Sequence, residues 1–397
     1  MRAMTDLLVV LPESEYQLRL LKIRENMKAM GLTNALLSSN ANLYYLTGRV
    51  FSGYALVTLD HDTVYFIKRP VNLLGPTVEK IHKPENMLGC IMDRGLALDD
   101  TLGLELNRLP YNLAVRLQKA LEAPVIKDAG AMMSVTRSVK TPMEIDLLKK
   151  SGIRHAAVYR HIPELYREGM SDVELQVEIE RALRLEGCLG QFRIAGEDME
   201  LFMGNVLAGD NADSPSPYDF AMGGAGVDYS LPVGADGTLL HAGMTVMVDM
   251  CGNFTGYMTD MTRTFRCGEV AKQAIDAHKL SIDICHELQN LATAGTEAKV
   301  LYELAEKTVK AAKLENFFMG HRQHAGFIGH GVGIEVNELP VIAPKSRDVL
   351  KPGNVIALEP KFVIPGTGAV GIENTYVVRP DGAMECITNC PEELIEL

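Results

Sequence analysis

Residues 245–265, TVMVDMCGNFTGYMTDMTRTF, carry an aspartate in each of two apolar segments that are separated by a short turn containing glycines. Apolar and β-branched residues on both sides of such a turn predict an antiparallel β-hairpin. Facing positions of a hairpin lie roughly 4.5–5.5 Å apart at Cβ, so Asp249 and Asp260 would repel each other unless a cation lay between them. This stretch therefore predicts a hairpin that holds part of a metal site.

A second acidic hairpin is predicted further along the chain. The segment VIALE ends in Glu359, and a turn leads from it to a strand that carries Glu373. Asp249 and Glu359 each follow a lead-in glycine, Gly243 and Gly353, by six residues. One such hairpin can arise by chance, whereas two with the same lead-in predict a duplicated half-domain whose halves share one site.

A histidine completes the candidate ligand set. The segment FIGHGVG, residues 327–333, places His330 between glycines, which let backbone approach a ligand closely. Burying four ionised carboxylates is costly unless opposite charge compensates them, and two divalent ions bound by the acids and His330 would provide that charge. Such a site can generate hydroxide at neutral pH and polarise a carbonyl oxygen. Oxygen ligands with one imidazole suit manganese, which we expect, and also cobalt, iron or zinc.

Length and composition favour a metabolic enzyme of two domains. The chain has 397 residues, of which 47% are hydrophobic and 23% charged, and a formal net charge of −12. The negative charge, without a basic stripe, argues against nucleic acid and anionic membrane surfaces as partners. No apolar run reaches the roughly 18–20 residues of a transmembrane helix. The seven cysteines lack metal-finger spacing and predict reduced thiols, so we expect a cytoplasmic protein.

The chain is expected to form two domains of mixed α/β structure, over residues 1–133 and 134–397. Helical spacing followed by short apolar runs predicts a helix and then three strands in the first domain, over residues 13–30, 34–37, 54–59 and 63–67. In the second domain, Thr141 is a good N-cap and Pro142 a good first helical residue, which predicts a helix over residues 142–166.

The pattern of acids and glycines resembles that of the pita-bread metallopeptidases, which include Xaa-Pro aminopeptidases, prolidases, methionine aminopeptidases and the metal-free creatinase. The shared motifs are Asp249, Asp260, GHGVG at 329–333, Glu359-Pro360 and IENT at 372–375. The segment GYMTDMTRTF (256–265) is most similar to the prolidase and Xaa-Pro aminopeptidase branch. In the first domain, NLYYLTG (42–48) resembles the creatinase-type N-terminal domain of that branch.

This resemblance implies a pita-bread catalytic domain with a pseudo-two-fold repeat, preceded by a creatinase-like α/β domain. It implies that Asp249 binds one of two metal ions and that His330 and Glu359 bind the other. Asp260 and Glu373 are implied to bridge both ions. Glu359 is also implied to be the general base, which shares a proton with the water or hydroxide between the ions. By the same resemblance we expect a homodimer that hydrolyses an amide bond near the N-terminus of short peptides or of a related small amide.

Three positions depart from the prolidase branch, and all three concern the substrate. Val233 and Asn337 stand where that branch has histidines that position the substrate, and we assign both to substrate binding. Gly371 replaces an arginine that helps to hold the substrate carboxylate in prolidases. These departures leave two alternatives open: a creatinase-like C–N hydrolase or lyase that acts on a small molecule, and a non-catalytic binding module. The complete ligand set argues against the second alternative.

Overall fold

The computed structural model describes residues 8–196 and 202–397. The chain divides into two compact units, of which the first ends at Arg137 and the second begins at Ser138. The domain boundary predicted between residues 133 and 134 falls inside a helix, Ala129–Ser138. Both units combine helices with sheets, so the expected mixed α/β class is confirmed.

The first unit is built on one mixed sheet. Its elements in chain order are α1 (Glu13–Ala29), β1 (Asn34–Leu37), α2 (Asn40–Thr47), β2 (Ser52–Thr58), β3 (Val64–Arg69), β4 (Val78–Lys80), α3 (Met87–Asp93), β5 (Thr101–Leu104), α4 (Tyr111–Ala120), β6 (Val125–Asp128) and α5 (Ala129–Ser138). The strands lie in the order β4-β3-β2-β1-β5-β6, with β1 antiparallel to β2 and parallel to β5. The predicted first helix and three strands are confirmed as α1, β1, β2 and β3, with ends that differ by at most two residues.

The second unit contains two larger sheets and a two-stranded one. Its helices are α6 (Pro142–Tyr159), α7 (Ile162–Leu165), α8 (Asp172–Leu185), α9 (Lys272–Leu291) and α10 (Ala298–Ala311). Its strands are β7 (Gly204–Ala208), β8 (Thr245–Asn253), β9 (Met258–Arg266), β10 (Gly329–Gly331), β11 (Glu338–Ile342), β12 (Val355–Leu358), β13 (Phe362–Ile364), β14 (Gly368–Val370), β15 (Asn374–Val377), β16 (Glu385–Cys386) and β17 (Ile395–Glu396). The strand orders are β17-β9-β8-β7, β11-β10-β12-β15-β16 and β13-β14.

Each half of this unit has its own hydrophobic core. Side chains of α6 and α8 pack with those of β7, β8 and β9, as Ile179 and Val248 illustrate. Side chains of α9 and α10 pack with those of the second sheet, as Leu301 and Ile356 illustrate. The duplicated lead-ins predicted two half-domains, and each half has a helix pair that packs on a pair of antiparallel strands. In the second half the predicted acidic hairpin is interrupted, because the turn at residues 365–367 joins β13 to β14, which lie between β12 and β15.

Backbone hydrogen bonds join the two halves. The Thr262 amide donates to the Glu373 carbonyl (3.3 Å), and the Glu373 amide donates to the Thr262 carbonyl (3.1 Å). The Asp260 amide donates to Thr375 Oγ1 (2.9 Å), whose hydroxyl donates in turn to the Asp260 carbonyl (2.7 Å). Strand β9 of the first half is therefore held against the beginning of β15 of the second, and this places acids from both halves together.

Helix α6 begins as predicted but ends early. Thr141 Oγ1 accepts a hydrogen bond from the Glu144 amide (3.2 Å), and the Glu144 carboxylate accepts one from the Thr141 amide (2.9 Å), so the predicted N-cap is confirmed. The prediction that this helix reaches residue 166 is wrong, since α6 ends at Tyr159. A proline ring clashes with the carbonyl four residues earlier in a helix, and Pro163 therefore stops α6 at that residue.

We predict that Thr141→Ala lowers the free energy of unfolding by about 1 kcal/mol, because it removes the side-chain partner of an orphan amide at the start of α6. Thr141→Ser keeps the hydroxyl and should unfold close to the natural protein. Urea denaturation followed by circular dichroism measures both variants. Equal losses in the alanine and serine variants would contradict the assigned cap.

Candidate metal centre

The five predicted metal ligands line one pocket in the second unit. Apolar side chains form much of the pocket wall, namely Phe192, Ile194, Phe220, Phe327 and Val336. The structure therefore gathers all five ligands, Asp249, Asp260, His330, Glu359 and Glu373, in a setting where an uncompensated charge is costly.

The two aspartates lie diagonally on one hairpin. In the register of β8 and β9, Asp249 faces Thr262, and Asp260 faces Cys251. The expectation that the two aspartates occupy facing positions is therefore wrong. Diagonal neighbours lie roughly 7–8 Å apart at Cα, and this wider spacing leaves room for a positive group between the two carboxylates.

The other three ligands come from the second sheet. Glu359 directly follows β12 and Glu373 directly precedes β15, and these strands pair with Leu358 opposite Asn374. His330 is the middle residue of β10, which pairs with the other edge of β12. Three neighbouring strands of one sheet thus present an imidazole and two carboxylates to the aspartates of the other sheet.

The ligand atoms form two groups that share one residue. Asp260, His330 and Glu373 make one group, and Asp249, Glu359 and Glu373 make the other, with the ligand atoms of each group within 4.8 Å of one another. We call them the histidine group and the carboxylate group. Glu359 is a member of the carboxylate group and also contacts the histidine group, because its Oε1 is 3.4 Å from His330 Nε2. Its other oxygen, Oε2, makes a separate contact with a lysine.

That contact is with Lys361, which the sequence analysis missed. The Lys361 side chain is fully buried, and its Nζ donates to Glu359 Oε2 (2.7 Å), Asp249 Oδ2 (2.8 Å) and Glu373 Oε2 (3.1 Å). These three acceptors are the members of the carboxylate group. An ammonium has three N–H donors, so every donor of Lys361 is used. A sequence signal existed, since a lone lysine in the apolar segment EPKFVI is seldom buried unless it is paired.

Three of these carboxyl groups have shifted pKa values. Burial, and next repulsion from Asp249, raise the pKa of Asp260 to about 7. Burial, and next repulsion from Asp260, raise the pKa of Glu373 well above its usual range. Burial alone would also raise the pKa of Glu359, but attraction to Lys361 together with the contacts of His330 outweighs it and lowers the pKa to about 2. Positive charge is therefore sufficient at Glu359 and short at Asp260 and at Glu373, although Glu373 also contacts Lys361.

Burial alone would lower the pKa of Lys361. Attraction to Asp249, Glu359 and Glu373 outweighs that effect and holds the pKa of Lys361 well above its ordinary value. The lysine is therefore a cation at neutral pH.

The histidine group fits a divalent ion. Glu373 Oε1 is buried and has no hydrogen-bond partner among residues 8–196 and 202–397. His330 Nδ1 donates to the Gly331 carbonyl (3.2 Å), which makes Nε2, 3.4 Å from Glu359 Oε1, the ring nitrogen that can act as a ligand. An imidazole nitrogen and carboxylate oxygens are suitable donors for the transition metals expected from the sequence. The carboxylate group does not fit a second ion in the same way, because Lys361 already fills it.

The residues assigned to substrate binding lie in different surroundings. Asn337 lines the pocket, but its amide group is bonded to the backbone of Ala195, from whose N–H it accepts (2.6 Å) and to whose carbonyl it donates. It therefore holds the wall segment that carries Phe192 and Ile194. Val233 is buried and is not one of the described residues that line the pocket. The structure thus brings Asn337 to the site as a wall support, whereas Val233 lies outside it.

Gly371 stands where an arginine was expected by comparison with prolidases, and its surroundings explain the glycine. Its φ is +135°, in the left-handed region that side chains disfavour. A Cβ on this residue would lie 3.0 Å from both Lys361 Cα and the Pro360 carbonyl oxygen. The backbone that carries Lys361 therefore occupies the space that a side chain at position 371 would need.

Two family descriptions match the chain. Residues 146–380 match Metallopeptidase family M24, and residues 19–139 match the Creatinase/Prolidase N-terminal domain. The chain therefore belongs to metallopeptidase family M24. This confirms the predicted family, its pita-bread fold class, and the predicted class of enzyme, a hydrolase of the Xaa-Pro metallopeptidase type.

Among curated proteins, "Uncharacterized peptidase YqhT" of Bacillus subtilis is 27% identical and covers 96% of this chain and 100% of its own length. "Xaa-Pro dipeptidase" of Pyrococcus horikoshii is 26% identical and covers 94% and 97%. Among solved structures, the Xaa-Pro dipeptidase from Bacillus anthracis superposes with a TM-score of 0.80 at 22% identity, over 96% of this chain and 100% of that one. At this identity the structural likeness establishes the fold.

We predict that Gly371→Ala lowers the free energy of unfolding by roughly 1–3 kcal/mol, because the new Cβ meets the Lys361 backbone in a strained conformation. Gly366→Ala is the matched control, since Gly366 also has positive φ (+77°) but has open space around the added Cβ. Guanidinium denaturation of both variants measures the difference. A loss no larger at position 371 than at position 366 would show that the close approach to Lys361 costs nothing.

Proposed function

We propose that this chain hydrolyses the amide bond next to the N-terminus of a short peptide, with Xaa-Pro peptides as the first candidates. The observation that carries this proposal is the histidine group, open to a cation, beside Glu359 in a pocket with apolar walls. Two relatives of archaeal origin bear the name Xaa-Pro dipeptidase and cover nearly the whole chain, which supports the same choice of bond.

In this proposal Asp260, His330 and Glu373 hold a divalent ion, with manganese as the first choice and cobalt, iron or zinc as alternatives. When bound, such an ion supplies a Lewis acid that polarises a carbonyl and acidifies water. The resemblance predicted two ions with a hydroxide between them. Since Lys361 already neutralises part of the carboxylate group, the proposed reaction requires only the ion in the histidine group.

Glu359 is the proposed proton acceptor. Its carboxylate lines the pocket and is ionised at neutral pH, because Lys361 and His330 together outweigh the effect of burial and lower its pKa to about 2. An ionised carboxylate can accept the proton of the attacking water and then donate it to the leaving amine. Phe192, Ile194 and Phe327 would shield the scissile bond from bulk water, and the negative charge around the site would attract a substrate N-terminal amine.

Two features predicted from the sequence remain predictions, namely the homodimer and the cytoplasmic location. All seven cysteines are free thiols in the structure. Across residues 8–196 and 202–397, no helix combines the length and the apolar character needed to cross a membrane. The homodimer rests on the resemblance alone.

A second candidate function is C–N hydrolysis or elimination on a small non-peptide molecule. Three observations favour it: Lys361 fills one ligand group, Asn337 is bonded to the protein backbone, and the Lys361 backbone closes the space at Gly371. The same acids and wall would then bind a compact amine rather than a peptide. A non-catalytic role is disfavoured, because all five ligand positions are filled by residues that can bind metal.

We predict that Glu359→Gln lowers kcat on the best peptide substrate by about 10²–10⁴-fold, since it removes the proton acceptor and nearly preserves the side-chain shape. Glu385→Gln is the matched control, because Glu385 is a partly exposed acid outside the pocket and is paired with Lys149. Metal-stripped protein is reloaded with manganese, cobalt, iron(II) or zinc and assayed on Xaa-Pro dipeptides, longer Xaa-Pro peptides and Xaa-Ala peptides.

Metal-dependent release of the N-terminal residue, strongly reduced in the glutamine variant at position 359 alone, is the expected result. Comparison of dipeptides with longer peptides separates a dipeptidase from an aminopeptidase. Silence on every peptide, together with turnover of a small non-peptide amide, would overturn the peptidase proposal in favour of the second candidate.

A further inference from the structure

Lys361 occupies the position that a metal ion would take in the carboxylate group. Its Nζ lies 2.7–3.1 Å from one oxygen of each of Asp249, Glu359 and Glu373. A small divalent ion such as zinc sits roughly 2.0–2.2 Å from its carboxylate oxygens. An ion bound to these three oxygens would have to lie in the space that Nζ fills, so the two occupants exclude each other.

The lysine has little freedom to leave. Its side chain is fully buried, and its exit would strand an ammonium and three carboxylates without their partners. Its backbone is fixed on both sides, since its carbonyl accepts from the Met319 amide (2.8 Å) and its Cα lies against Gly371. The ammonium is therefore a fixed part of the folded site.

The histidine group presents the opposite picture. Its Glu373 Oε1 lacks a partner within the described part of the chain, and its His330 Nε2 lies 3.9 Å from Asp260 Oδ2, beyond hydrogen-bond distance, and 3.4 Å from Glu359 Oε1. With His330 neutral, as a metal ligand must be, four ionised carboxylates and the Lys361 ammonium give the site a formal charge of −3. One divalent ion in the histidine group would cancel most of that charge.

We propose that the Lys361 ammonium permanently takes the place of one of the two metal ions, so that this chain binds a single divalent ion, at Asp260, His330 and Glu373. The proposal concerns ion number and holds whatever the substrate is, so it stands apart from the proposed peptidase activity. Lys361 has no donor left for a substrate, because all three N–H groups are engaged. It is a positioning residue that fixes Asp249 and Glu359, and Asp249 becomes its partner instead of a metal ligand.

The test measures metal stoichiometry on the full chain, not activity. Stripped protein is equilibrated with excess manganese, desalted, and analysed by inductively coupled plasma mass spectrometry, with isothermal titration as a second readout. We expect one ion per chain in the natural protein. In the electron paramagnetic resonance spectrum, an isolated manganese(II) ion should give an uncoupled signal, whereas a pair would show exchange coupling.

Three variants separate the possible occupants of the carboxylate group. Asp249→Asn should still bind one ion, because Asp249 belongs only to the group that Lys361 fills. Lys361→Gly, checked for folding by circular dichroism, opens that group and should bind two ions. Lys361→Met fills the same space without charge and should stay at one ion, which separates the effect of space from that of charge.

Several outcomes would overturn the proposal. Two ions in the natural protein that fall to one in Asp249→Asn would show that the lysine yields its place to metal. No bound ion in the natural protein would refute the assignment of the histidine group. A folded Lys361→Gly variant that remains at one ion would show that the lysine does not stand in a metal position. Inactivity on peptides would change none of these results.

Discussion

Four carboxylates held together in a largely buried site set the main constraint on the second unit. Two unit charges 4 Å apart interact by about 4 kcal/mol at an effective dielectric constant of about 20, which is a large part of the stability of an ordinary domain. The duplicated hairpins bring Asp249, Asp260, Glu359 and Glu373 together and therefore require positive charge at their junction. Lys361 supplies part of that charge within the chain itself.

The segment between the two glutamates shows how the chain delivers this lysine. Glu359 directly follows β12 and Glu373 directly precedes β15, and the residues between them form the small hairpin of β13 and β14. Lys361 lies at the start of this segment, just before β13, where its side chain can reach the two glutamates that flank the segment. Gly371 lies at the end of the same segment and leaves room for the Lys361 backbone. The lysine and the glycine are therefore two parts of one local arrangement.

Much of this could be predicted from the sequence, because the evidence was periodic or repeated. The hairpins, the paired lead-ins, the cap at Thr141 and the gathering of five ligands all follow from local pattern. The diagonal register of Asp249 and Asp260 does not, since register depends on the exact geometry of the turn. The hydrogen bonds of Asn337 and the position of Val233 outside the pocket depend on segments distant in sequence. Lys361 was missed because a single lysine has no periodicity, and only its apolar neighbours marked it as buried.

The coupling of Lys361 with Gly371 bears on the kind of substrate that the pocket selects. In the prolidase branch an arginine at the position of Gly371 would face a substrate carboxylate, but here the backbone of Lys361 fills that space. The Lys361 ammonium donates its three hydrogen bonds to acids inside the protein and is not available to a substrate in the pocket. What the pocket presents instead is apolar surface together with Asp219, Asp249 and Asp260. Such a lining attracts an amine and repels a free carboxylate. For the proposed peptidase we therefore infer a preference for the N-terminal end of a longer peptide, or for a compact amine, over a dipeptide whose carboxylate lies beside the bond to be cleaved.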